Sequence, residues 1–264
     1  MAARPRTTRL MILAAATMIS ASLMAAEERP VSRETDLSVR EIVSTLFKAK
    51  PGARIDFSDK NLAYLDLAGI DFKRADLAGS DLYGVDFTGS NLRGVDLARA
   101  RLDRAVLIGA DLSGANLMNA SILRPTIYKD LSNNPADAPR LSGASLRGAR
   151  VTANLSGADF HGAELTDASS GPGSVLDGCD FARAILKGAN LERTTLAFAR
   201  FGGADLTGAN LSHTDLSRAD FTGADLTNAD LTGAELDSAN LLGVKGLDTV
   251  KGLATARNFA TTIR

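Results

Sequence analysis

Chemically reactive side chains are few in this 264-residue sequence. Its only histidines are His161 and His213, and its lone cysteine, Cys179, cannot form an internal disulfide. Nucleophilic catalysis needs a Cys or Ser held beside a base, and structural zinc sites need closely spaced Cys and His. Because neither arrangement occurs, the sequence predicts that the protein is not an enzyme, with no catalytic residue, cofactor or metal site.

Aspartates are numerous, but they follow a pattern that does not resemble a calcium site. They match neither the EF-hand loop nor the glycine-rich repeat of calcium-binding β-rolls. In the stretch ADFTGADLTNADLTGAEL, at residues 219–236, an acid or Asn precedes a large apolar residue every five positions. At that position Asp or Asn can accept a hydrogen bond from nearby backbone, so we interpret these residues as structural.

A five-residue period fits neither a regular helix nor a straight strand. In a helix, where each residue turns 100°, the apolar residue would drift by about 140° per repeat and form no stripe. In a strand, an odd period would send successive apolar residues to opposite faces. The period therefore predicts a corner in every repeat, and four corners form a coil of about twenty residues whose apolar side chains share one axis.

The large apolar residue of each repeat, which we call its centre, and the small residue two positions earlier are predicted to point inward. Successive coils would then pair at about 4.8 Å, as in a parallel ladder, with Gly, Asn or Asp at the corners. Centres twenty residues apart share one side, which predicts a stacked column of Phe181, Phe201 and Phe221. Cys179 occupies an inward small position and is predicted to be a buried core residue.

This pattern resembles the A(D/N)LXX consensus of the pentapeptide-repeat family, over roughly Ile55 to Gly243. The resemblance implies an all-β solenoid, namely a right-handed quadrilateral parallel β-helix. Two repeat segments, at 55–127 and 141–243, flank a polar insertion at 128–140. Together they would give about nine coils and roughly 43 Å of solenoid at the ladder spacing. We expect the insertion and the segment SSGPG, at 169–173, to be outward loops, either functional or simply tolerated at a corner.

Both ends of the solenoid are predicted to carry short helical caps. Within the N-terminal linker and capping segment, 27–54, five apolar residues follow helical spacing, and Ser38 and Glu41 form a possible capping box. The apolar face would cover the open edge of the first coil. The tail at 244–264 leaves the five-residue phase and is expected to be a helical cap at the other end.

The first 26 residues have the layout of a cleaved signal peptide. Three arginines precede an apolar run that starts at Leu10, and small residues precede Glu27. Cleavage would change the net charge from −1 to −4 because those three arginines are lost. The sequence thus predicts a periplasmic or secreted protein without stable membrane insertion. The alternative is an uncleaved N-terminal membrane anchor, although the apolar run is short for a span.

Two non-enzymatic functions follow from the pattern and the resemblance. Some members of the family mimic duplex DNA and bind DNA gyrase, which implies a cytosolic gyrase-protecting protein as one alternative. DNA mimicry needs a strongly anionic surface, and export would remove the protein from gyrase. The sequence therefore favours an exported scaffold that binds an unidentified protein and no nucleic acid, with its oligomeric state open.

A candidate interaction surface follows from the phase of the repeats. Outward positions around centres that share one side carry tyrosines, arginines and a leucine, which are typical of interface hot spots. The alternative is that outward positions simply tolerate many residue types. The candidate residues, ending beside the insertion, are Tyr64, Tyr83, Arg101, Arg104, Leu123, Arg124 and Tyr128.

Overall fold

The computed structural model describes residues 34–130, 134–171 and 173–263, and it describes Pro135 only through its backbone. The predicted signal peptide and the start of the predicted linker lie outside the described residues. The segment Thr35–Arg264 is one compact unit. It contains one α-helix, short 3₁₀ helices, three short strands and a long series of isolated parallel bridges within the described ranges.

Parallel bridges between residues about twenty apart hold the chain in a β-helical solenoid. The residue before each centre pairs with its counterpart one coil later, and four such positions occur in each coil. We name the four sides A, B, C and D after their first centres, which are Phe57, Leu62, Leu67 and Phe72. On side B the pairing is extended into parallel strands β1, Ser121–Leu123, β2, Arg150–Thr152, and β3, Ser169–Ser170, in that order.

Each repeat forms hydrogen bonds in both directions along the solenoid. The N–H of Leu206 donates to the Asp225 carbonyl of the next coil at 2.8 Å, and the N–H of Asp225 donates to the Ala204 carbonyl at 2.9 Å. The N–H of Ala209 closes the corner on the Leu206 carbonyl at 2.9 Å. Within that corner Gly208 has a φ of 67°, which suits a residue without a Cβ. One bridge and one such corner account for the five-residue period.

The aspartates before the centres have the structural role that the sequence suggested. The side chain of Asp225 accepts the N–H of Thr227 at 2.9 Å, and that of Asp96 accepts the N–H of Ala98 at the same distance. Hydrogen bonds from Thr227 lower the pKa of Asp225. These carboxylates stabilise the corners that follow them.

A column of stacked phenylalanines on side D fills the core of the second repeat segment. Phe181, Phe201 and Phe221 are buried, with ring centroids 5.1 and 4.8 Å apart and nearly parallel planes. The predicted column is confirmed, and Phe160 extends it at 4.9 Å from Phe181. The twenty-residue spacing does not predict this ring, because the SSGPG segment places Phe160 21 residues before Phe181.

Helix α1, Val39–Lys48, begins with the predicted capping box. The N–H of Glu41 donates to Ser38 Oγ at 3.3 Å, and the N–H of Ser38 donates to Glu41 Oε2 at 2.8 Å. These contacts satisfy two of the backbone donors that a helix leaves unpaired at its start.

Only part of the apolar face of α1 packs on the solenoid. Ile42 and Leu46 are buried, and the ammonium group of Lys73 donates to the Leu46 carbonyl at 2.7 Å. The expectation that the whole face is covered is wrong, because Phe47 is 83% exposed and Val43 is 43% exposed. They lie one helical turn apart on the side turned away from the core.

The insertion at 128–140 is only partly an outward loop. Residues 131–133 lie outside the described part, and Pro135–Asp137 forms a 3₁₀ helix. Asp137 is buried, accepts an ion pair from Lys129 at 3.1 Å, and its carbonyl accepts the N–H of Gly109 at 2.6 Å. Ala138 joins the core. The expectation of an outward loop is therefore wrong for 137–139, which form the corner between Ile127 on side C and Leu141 on side D.

The SSGPG segment also differs from the prediction of an outward loop. Ser169 and Ser170 belong to β3, and Ser170 is buried at a centre position on side B. Its hydroxyl has no hydrogen-bond partner within the described residues. Ser169 and Ser170 are thus part of the ladder and not of an outward loop.

The tail forms another coil rather than the expected helical cap. Its bridging residues are spaced by six, and two short 3₁₀ helices, Leu253–Thr255 and Phe259–Thr261, lie between bridges. The Thr249 hydroxyl accepts the N–H of Asn228 at 2.9 Å, where a backbone carbonyl serves in earlier coils. The bridging pairs are Asp225 with Lys245, Asp230 with Lys251, Glu235 with Arg257, and Asn240 with Ile263.

Replacing Phe201 with Ala is expected to destabilise the protein by about 3–5 kcal/mol, because it leaves a cavity between two stacked rings. Phe198→Ala is the matched control, since Phe198 lies three residues earlier but is 56% exposed. Guanidinium unfolding monitored by circular dichroism would compare the two. Equal losses of stability would contradict the assignment of inward and outward positions.

Candidate functional site

The side chains most often used in catalysis lie apart from one another. His161 and His213 are exposed on sides D and B, and the described residues contain no group of three or more His, Cys, Asp or Glu suited to a metal ion. Cys179 is fully buried, and burial raises the pKa of its thiol to about 12. Its Sγ donates to the Leu155 carbonyl at 3.0 Å, so this cysteine is a packing residue of the core, as predicted.

Six of the seven candidate interaction residues lie on or beside the corner that follows side B. We call this set the tyrosine–arginine ridge. The rings of Tyr64 and Tyr83 meet edge to face at 5.4 Å, and Arg101 covers the Tyr83 ring at 4.4 Å. Arg104 lies 5.8 Å from the same ring. The ridge consists of Tyr64, Tyr83, Arg101, Arg104, Leu123 and Arg124.

Tyr64 is held in an unfavourable backbone conformation at the end of the ridge. Its φ is 62°, in the left-handed region where bulky residues are uncommon, and its side chain is 61% exposed. Gly84 lies beneath the ring, and a Cβ there would approach Tyr64 Cδ1 to 2.8 Å. The absence of a Cβ at Gly84 therefore leaves space for the Tyr64 ring, although most of that side chain stays exposed to solvent.

The arginines of the ridge differ in whether they pair with carboxylates. Arg101 forms ion pairs with Asp81 at 3.1 Å and Asp103 at 3.4 Å. Arg104 and Arg124 are exposed, and neither forms an ion pair with a carboxylate of the described residues. The outward part of the ridge is consequently cationic, beside an exposed aromatic ring.

Two candidate residues are less accessible than the sequence analysis expected. Leu123 is half-buried, and its N–H donates to Asp103 Oδ1 at 3.1 Å. Tyr128 lies on the next side, C, and its hydroxyl donates to the Ser156 carbonyl. Burial raises the pKa of Tyr128. Its contacts place it between coils, apart from the ridge.

A second corner aromatic, Phe198, is exposed as its outward position predicts, and it lies outside the candidate interaction surface. Phe198 on side C also has a left-handed φ, 60°, and Arg218 lies 5.5 Å from its ring. The sequence marks this position, because an aromatic residue stands at a corner that is otherwise occupied mainly by Gly, Asn, Asp or Arg. Phe198 and Tyr64 share this feature on different sides of the solenoid.

Comparison with protein-family models gives one match, described as pentapeptide repeats in 8 copies. It covers residues 55–94, 86–122, 140–169, 174–212 and 204–243, which is more than half of the chain. The residues that the family model leaves unmatched between these ranges lie at the insertion and at the SSGPG segment. No curated protein sequence matches the chain.

Comparison with solved structures also finds similar proteins. HetL, a pentapeptide repeat protein involved in heterocyst differentiation regulation from the cyanobacterium Nostoc sp., is 26% identical, with a TM-score of 0.52 over 86% of this chain and 94% of HetL. QnrB1, a plasmid-mediated fluoroquinolone resistance protein, is 26% identical, with a TM-score of 0.32 over 71% of this chain and 83% of QnrB1. The likeness to HetL, with the higher TM-score, supports a β-helical solenoid for most of this chain.

Tyr64→Asn is expected to leave the free energy of unfolding unchanged or to raise it by about 1 kcal/mol. Asn adopts the left-handed conformation more readily, and the exposed ring contributes little burial. Denaturant unfolding of the variant and the wild type would measure the difference. A loss of more than about 1 kcal/mol would show instead that Tyr64 is retained for packing on Tyr83.

Proposed function

Because the chain belongs to the pentapeptide-repeat family, we propose that it is a non-enzymatic scaffold that binds another protein through the tyrosine–arginine ridge. The observation that carries this proposal is the exposed, left-handed Tyr64 packed edge to face on Tyr83. A bulky residue in that conformation destabilises the backbone by roughly 1–3 kcal/mol, which favours a role outside folding.

The composition of the ridge suits a protein interface. Tyrosine and arginine are enriched among the residues that dominate binding energy, because they combine a large apolar surface with polar groups. Tyr83 is already fixed by Tyr64 and Arg101, so little side-chain freedom would be lost when a partner binds. The exposed guanidinium groups of Arg104 and Arg124 favour a partner that presents carboxylates.

The likeness to HetL supports a regulatory or structural role in preference to catalysis. HetL is described as involved in the regulation of heterocyst differentiation, and it resembles this chain over most of both lengths. Gyrase protection by DNA mimicry is less favoured, since the ridge is cationic where a duplex mimic would need regularly spaced negative charges.

Export of the protein is part of the same proposal. It depends on residues 1–26, where basic, apolar and small residues occur in the order typical of a signal peptide. None of the described helices has the length and apolar composition needed to cross a bilayer. We place the partner in the periplasm or outside the cell.

We also propose the number of sides of the coil, its right-handed winding and the role of α1. Four bridging positions per coil support a four-sided coil, and a right-handed winding agrees with the usual handedness of parallel crossovers. We assign α1 the role of a cap, because Ile42 and Leu46 cover the core of the first coil. A covered edge would limit strand-to-strand association.

The export proposal predicts a mature protein that begins near Glu27 and fractionates with the periplasm. Intact-mass measurement and N-terminal sequencing of the native protein would locate the start. Soluble cytosolic protein that retains Met1 would contradict export and favour the gyrase alternative. Membrane-bound protein that retains Met1 would support the uncleaved anchor.

The ridge is tested by changing Tyr64, Tyr83 and Arg124 together to Ser. We expect recovery of a specific envelope protein in pull-downs to fall by about tenfold or more, as expected when several hot-spot residues are removed. Circular dichroism and melting temperature should show that the variant still folds.

The matched control is the double variant Phe198→Ser and Arg218→Ser, which removes an aromatic exposed at a corner of another side and the arginine beside it. This control is expected to retain the partner. An identical set of partners for the triple variant and the wild type would eliminate the ridge. Loss of the partner only in the control would place the interface on side C.

A further inference from the structure

Side D carries a cleft of about 440 Å³ near the N-terminal end of the solenoid. Three cationic side chains, Lys73, Arg74 and Arg93, line it together with Asp71 and other polar groups. Two glycines, Gly94 and Gly114, also line it and contribute no side chain. The remaining lining residues are Asn91 and Ser113.

Arg74 is the cation in this cleft that is free to bind a ligand. It is exposed, has a left-handed φ of 62°, and pairs with none of the described carboxylates. Its guanidinium lies over Gly94, where a Cβ would come within 2.9 Å of Nε. The glycine therefore leaves room for the Arg74 side chain, which lines the cleft.

The other charges in the cleft are only partly balanced. Asp71 is its single lining carboxylate, and Asp71 Oδ1 already accepts the Lys73 N–H at 2.9 Å and the Asn91 amide at 3.1 Å. Lys73 donates to α1, but an ammonium group has two further donors. Arg93 shares the neighbouring Asp111 with a second arginine, at 3.3 and 3.1 Å. The cleft thus has an excess of positive charge.

We propose that this cleft binds a small oxyanion with two negative charges, of the phosphate class. Guanidinium groups recognise phosphate oxygens through paired, charge-assisted hydrogen bonds, and the ammonium group of Lys73 adds a third cation. The Asn91 amide has one further N–H to donate, whereas the Ser113 hydroxyl already donates to Asp111 Oδ1 at 2.6 Å. The volume exceeds that of a phosphate ion, so a phosphate monoester of a small molecule also fits.

This site is separate from the tyrosine–arginine ridge. The cleft is on side D, and the ridge follows side B, two sides away along each coil. They share no residue, so anion binding neither requires nor excludes the proposed protein partner.

The test is calorimetric titration of the mature protein with inorganic phosphate and with glycerol 3-phosphate, at one pH and constant ionic strength. Constant ionic strength is needed because salt screens exposed charges. We expect saturable binding of at least one probe to one site. Arg74→Gln should weaken it by about tenfold or more, since it removes the charged fork but keeps the size of the side chain.

Arg183→Gln is the matched control. Arg183 lies at the same corner position of side D, has a similar φ of 58°, and also pairs with none of the described carboxylates, but it lies outside the cleft. Its replacement should leave the affinity within about twofold, because only distant screened charge is lost. Circular dichroism would confirm that both variants fold.

The two probes distinguish the sources of the anion. Tighter binding of glycerol 3-phosphate would assign the site to phosphate monoesters, whereas equal or tighter binding of inorganic phosphate would assign it to the free ion. Absence of saturable binding for both probes would overturn the proposal. An equal loss of affinity in Arg74→Gln and Arg183→Gln would also overturn it, because it would indicate general attraction to a charged surface.

Discussion

The hydrogen-bonded corner that ends every five-residue repeat is the constraint on which the rest of the structure depends. Its third residue must accept a positive φ, as Gly208 does at 67°, so that the chain can turn and still pair with the coils before and after it. Without that turn the apolar centres could not share an axis. The leucine and alanine core, the Asp side chains that stabilise the corners and the column of stacked rings all follow from this geometry.

Because the corners and the inward positions carry the fold, the outward positions are available for other roles. Most corner positions hold Gly, or a polar residue that tolerates the left-handed region. Tyr64 and Arg74 are placed there although neither gains burial, and both lie beside a glycine of the next coil that makes room for them. Large side chains at strained positions above bare backbone are the common feature of the ridge and of the basic cleft.

The fold was largely predictable because the period is explicit in the sequence. Residues twenty apart could be assigned to one side, and the stacking of Phe181, Phe201 and Phe221 followed. Prediction failed where the spacing changed. The tail has a six-residue spacing, visible in Lys245, Lys251 and Arg257, which matches neither the five-residue repeat nor the 3.6-residue period of a helix.

The ridge and the cleft were less predictable than the fold. The five-residue period does not determine how outward side chains are oriented. The pairing of Tyr64 with Tyr83 followed from phase, but the orientation of Arg101 depends on its two carboxylate partners. The cleft depends on how Arg74 lies over Gly94, which no spacing reveals. Asp111 bridges to Arg140 across the insertion at a spacing of 29 residues, whereas the preceding bridge on side D, between Asn91 and Asp111, has a spacing of twenty. A coil that accommodates extra chain and then resumes its bridges gives evolution a place to lengthen a loop one residue at a time, and gives protein engineers a place to graft a peptide.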